Sequence, residues 1–119
     1  MPLVDRVWAF LRERGDLVSD HNVWLYRHRE QGLEVEVGVQ VDAAFEGAGD
    51  IVCIETPSGV AAHAIHWGEY GELPGVHREL VCWCSDRSLV RTGDNWEVYG
   101  DWDDDPTKRR TDVYHLIDA

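Results

Sequence analysis

Basic residues are scarce in this chain. Eleven Lys and Arg stand against 23 Asp and Glu, a net charge of −12 over 119 residues. A nucleic-acid backbone and an anionic membrane surface both reward basic patches, so direct binding to either is not expected. The balance suits a cationic ligand, a basic protein surface or plain solubility. No apolar run approaches the length of a membrane span, and no basic-then-apolar leader opens the chain. A cytoplasmic protein is the expectation. The three cysteines, Cys53, Cys82 and Cys84, form no disulfide framework; an odd number in a reducing compartment reads as small buried apolar residues.

Familiar catalytic and metal motifs are missing as well. There is no G-x-S-x-G, no phosphate-cradling glycine loop and no nucleophile with a local base. His63 and His66 have odd spacing on a strand, so their rings face opposite sides and cannot share a metal. Cys82 and Cys84 fall about 200° apart around a helix, which makes no zinc pair. His77 joins none of these. Asp101, Asp103, Asp104 and Asp105 lack the spacing of a calcium loop and read as a solvated turn. No metal and no cofactor is expected.

What is present suits one domain with a core: 44% apolar residues, among them six tryptophans. Pro2 to Gly15 reads as an amphipathic helix, with Leu3, Val7, Phe10 and Leu11 on one stripe and Trp8 alongside. Asn22–His28 and Leu33–Val41 read as an antiparallel hairpin turning at Gly32, with Val35, Val37, Val39 and Val41 on one face. Asp42–Asp50 is loop-like, and IVCIET, Ile51–Thr56, has no clear place in the pattern. Gly59–Gly68 reads as a strand and Gly71–Arg87 as a helix, with Leu73, Val76, Leu80 and Cys84 on one face. Asn95–Trp102 and Thr111–Ile117 are strands around a polar turn, Asp103–Arg110. The order is helix–strand–strand, then strand–helix–strand–strand, which predicts an α+β domain with antiparallel pairing.

Four pieces of the second half carry a resemblance. PSGVAAHAIHWGEYGEL ends a strand with His66, Gly68 and Tyr70; HRELVCWC is a helix bearing Trp83; NWEVYGD is a Trp-Glu-x-Tyr strand; RTDVYHLI closes the chain. Together they resemble the GyrI-like small-molecule-binding domain, also found as the effector-binding domain of bacterial transcription regulators. The likeness covers most of the chain and is specific over Pro57 to Ile117. It implies two strand–helix–strand–strand modules related by a pseudo-two-fold axis, with a ligand cleft between them. Residues 1–119 would then be one such domain, with 1–56 a truncated first module and 57–119 the second. The first module lacks its opening strand, so either the sheet is short at that edge or another segment, a second copy or a protein partner covers it. No DNA-reading helix-turn-helix precedes the domain, so a stand-alone sensor is expected.

The resemblance also implies that Glu97 points into the cleft with Tyr99 on its face, and strand parity agrees. A carboxylate walled by aromatics would attract lipophilic cations. Tyr26 would line the opposite wall, with Trp24 on the same face; the alternative packs both beneath the first helix. Tyr70 would line the cleft at the strand-to-helix passage. Trp67 and Trp83 suit either cleft or core, and Trp8 and Trp96 are assigned to the core. The expected role is binding or sensing of hydrophobic, cationic small molecules. Two other readings stand beside it. In one, Glu97 and Tyr99 hydrolyse strained electrophiles, which needs burial to raise the carboxyl pKa. In the other, the acidic protein inhibits a gyrase-like partner.

Overall fold

A computed structural model describes residues 3–15, 17–49 and 51–118. It contains helix α1 (Leu3–Arg12), strands β1 (Ser19–Arg29), β2 (Gly32–Val41) and β3 (Ala61–Trp67), helix α2 (Leu73–Asp86), and strands β4 (Val90–Tyr99) and β5 (Arg110–Asp118). The five strands form one antiparallel sheet in the order β2-β1-β4-β5-β3. This is the α+β architecture the sequence predicts. β1 and β4 meet at the centre, β2 and β5 flank them, and β3 lies outside β5. Among the described residues no strand occupies the matching position outside β2, so the first module lacks its opening strand there.

Local chemistry explains most element ends. The hairpin between β1 and β2 turns on Glu30 and Gln31, and Gly32 takes the φ of +133° that follows. Pro2, expected in the first helical turn, lies outside the described residues. A single 3-10 turn, Tyr70–Glu72, leads into α2, and Pro74 sits in the helix's first turn, where its missing N–H costs nothing. β4 begins five residues before the expected Asn95. Its register with β5 slips between Arg91 and Asn95, and Gly93 sits in the slip with φ +98°. A Cβ there would also meet the His28 carbonyl oxygen at 3.2 Å. Gly93→Ala is expected to cost about 1–2 kcal/mol in urea unfolding, through strain in the left-handed region.

Alternation along the strands sorts the sheet into two faces. On one face, α2 lays Leu73, Leu80 and Cys84 over Ala62, Val113 and Ile117. On the other, Val23, Leu25 and Trp96 form a second core with Val98, Tyr114 and Leu116. Trp96 is therefore a core residue, as expected. It stacks on its cross-strand partner Tyr114 at 5.1 Å, and Tyr114 stacks in turn on its partner His63 at 4.3 Å. Each such pair contributes about 0.5–1.5 kcal/mol beyond its buried area. α1 packs along β2, and Trp8 Nε1 donates to Asn22 Oδ1 at 2.8 Å. Ile51–Thr56 forms no strand; Ile51 makes one isolated bridge to Ala48.

Candidate functional site

The α2 side of the sheet carries Trp24 and Tyr26 from β1, and Asn95, Glu97 and Tyr99 from β4. Trp24 lies directly opposite Glu97. Glu97 is only 4% exposed, so its charge needs partners. It has three. Tyr26 and Tyr99 hydroxyls donate to Oε1 at 3.0 and 2.7 Å. His77 Nε2, from α2, donates to Oε2 at 2.8 Å. Burial alone would raise the carboxyl pKa. The hydrogen bonds from His77, Tyr99 and Tyr26, with the attraction of His77, outweigh it and hold the pKa below the usual value.

The chain of hydrogen bonds continues inward. His77 Nδ1 lies 2.9 Å from Nε2 of His115, a β5 residue that is 5% exposed. Burial lowers the His115 pKa to about 4, with His77, Arg91 and His28 adding repulsion and Glu97 opposing them. His115 is therefore neutral at pH 7. An ionised carboxylate only accepts, so Nε2 of His77 carries a proton. One proton bridges His77 Nδ1 and His115 Nε2, and the tautomer sets which nitrogen donates it. Tyr26 is pushed up to about 12 by burial and by Glu97, and Tyr99 is raised further by the same causes. Both phenols stay protonated as donors.

Above this network opens a cleft of about 570 Å³. Trp8, Trp24, Tyr70, Tyr99 and Trp102 line it, with the Tyr70 and Trp102 rings 6.2 Å apart. Tyr70 packs edge-on to Tyr99 at 5.2 Å. Trp102, 63% exposed, is braced by the Arg109 guanidinium 3.7 Å from its ring centre. The rim is acidic: His21 sits between Asp20 and Asp101, 3.1 Å from each.

The expected site residues divide into three groups. Tyr99, Tyr70 and Trp24 line the open cleft. Glu97 and Tyr26 lie in the hydrogen-bonded layer beneath it. Trp67 and Trp83 belong to neither. Trp67 shares strand parity with His63, on the face away from α2, and is 58% exposed with Arg110 nearby. Trp83 is 43% exposed on the outside of α2, stacked on Arg87 at 4.1 Å. Trp8 is corrected in the opposite sense. It is half-buried and lines the cleft, because its indole N–H is drawn to Asn22. Trp102, His77 and His115 were missed. The two histidines did leave a signal: His77 falls between Leu73 and Leu80 on the apolar stripe of α2, and His115 alternates in phase with Val113 and Ile117. A histidine on a buried stripe requires a polar partner.

No family model matches the chain, and no curated protein matches it. Among solved structures, the C-terminal domain of EcmrR superposes with a TM-score of 0.81 at 20% identity. That match covers 99% of this chain and 79% of the other. The chain thus shares its fold with that domain.

Proposed function

We propose that this protein binds or senses hydrophobic, cationic small molecules in the cleft above Glu97. The observation that carries this reading is a cleft with five aromatic side chains, Trp8, Trp24, Tyr70, Tyr99 and Trp102, over an ionised buried carboxylate. Flat aromatic faces attract cations by about 0.5–2 kcal/mol each and tolerate many ligand shapes. A ligand cation about 7 Å from Glu97 gains about 2 kcal/mol at an effective dielectric near 20, before desolvation. Asp20 and Asp101 add the same sign at the rim. The shared fold with the EcmrR C-terminal domain and the GyrI-like resemblance of the second module support an effector-binding role.

The geometry favours binding over hydrolysis. A general base needs a raised pKa and an open lone pair, whereas the Glu97 pKa is lowered and both oxygens are engaged by donors.

The test is tryptophan-fluorescence titration with tetraphenylphosphonium and its isosteric anion, tetraphenylborate. Saturable quenching at least tenfold tighter for the cation is expected, falling at least tenfold in Glu97→Gln. Equal affinities for the two ions, or an unchanged mutant, would reject the proposal.

A further inference from the structure

The two halves of the sheet differ at their outer edges. In the second half β3 pairs antiparallel with β5; in the first, the equivalent edge of β2 has no strand beside it among the described residues. A groove of about 570 Å³ runs there instead, lined by consecutive residues of β2 from Glu36 to Val41. Val7 and Leu11 of α1 and Phe45, Ile51 and Ile54 line it as well, with Arg6 and Glu55 among its charged members. β2 is ten residues long, and no Pro, Lys or Arg within it blunts the edge. Along it Glu34 and Glu36 alternate with Leu33, Val35 and Val37.

We infer that the outer edge of β2 docks an extended segment of a partner protein in which apolar and basic residues alternate. An added strand would satisfy the free edge by backbone pairing, and its side chains would meet the two faces in turn. One set would enter the apolar groove, and the other would lie beside the glutamates. Charge decides the second set. From Glu30 to Thr56 the chain carries seven acidic residues and no Lys, Arg or His, and among the described residues only Glu36 of the β2 glutamates has an ion pair across the sheet, to Arg27 at 3.2 Å. The same count disfavours a second copy, whose β2 would bring like charges onto one edge.

The probe is a nine-residue peptide alternating valine and lysine, compared with a valine–glutamate peptide and an N-methylated form of the first. Anisotropy titrations and amide exchange of Gly32–Val41 are measured on the full chain. The lysine peptide should bind at least tenfold tighter than either control and slow exchange along β2. Glu34→Lys combined with Glu55→Lys should reverse the preference, while tetraphenylphosphonium still titrates the tryptophans as in the parent, which shows that the variant folds. Equal binding of the peptides, or none, overturns the inference. So does protection of β2 amides without peptide: in a dimer by sedimentation this names a second copy, and in a monomer it names the chain's own Ala43–Thr56 segment.

Discussion

Glu97→Ala is expected to destabilise the fold by about 3–5 kcal/mol in urea unfolding, the range for removing one partner of a buried charge network. The carboxylate is 4% exposed and receives three donors. Alanine would leave the His77 Nε2–H and two tyrosine hydroxyls without an acceptor, in a space vacated by the side chain. Glu97→Gln should cost only about 1–2 kcal/mol. Its amide oxygen can still accept from Tyr26 and Tyr99, and its amide can donate to His77 once that ring adopts the other tautomer. In that tautomer His77 Nδ1–H donates to His115 Nε2, so the His77–His115 bond is kept. Gln thus separates charge from shape, which makes it the proper variant for the cation titration. If Ala and Gln cost the same, the network does not hold the cleft floor together.

Acid should destabilise this protein well above the pH at which its carboxylates titrate. His115 has an ordinary pKa near 6.5 when unfolded and about 4 in the fold. Between those values the unfolded chain takes up a proton that the folded chain refuses. Stability is therefore full above pH 6.5 and falls as the pH drops toward 4. The gap corresponds to about 3 kcal/mol. Urea unfolding at pH 7.5 and pH 4.5 should show this loss, and His115→Asn should remove most of it. Equal pH dependence in the variant would place the titrating group elsewhere. Below the ordinary carboxylate range a second loss should follow, as the hydrogen-bonded Glu97 is protonated.

Much of this fold is legible in the sequence. Periodicity marked both helices and all five strands, because the alternation of a strand and the stripe of a helix are written in neighbouring residues. The missing strand could be anticipated by comparing the two halves. Glu97, Tyr99 and Tyr26 were placed on the right faces by parity and by the GyrI-like resemblance. Parity could also have removed Trp67 from the cleft, since it lies one residue out of phase with Ala62, Ala64 and His66. The early start of β4 was hidden by Gly93, which reads as a breaker but here permits a register slip.

What local pattern could not supply was the company each side chain keeps. Tyr26 and Glu97 are 71 positions apart, and His77 and His115 are 38 apart. They meet because β1 and β4 pair at the sheet centre and α2 crosses the strands beside them. That packing turned a lone carboxylate into an ionised centre held by three donors, and a helix histidine into its partner. It also moved Trp8 from core to cleft and left Trp67 and Trp83 outside. Residue types and their spacing are local properties of the chain. A buried charge is settled by which distant donors the folded sheet brings within hydrogen-bonding distance.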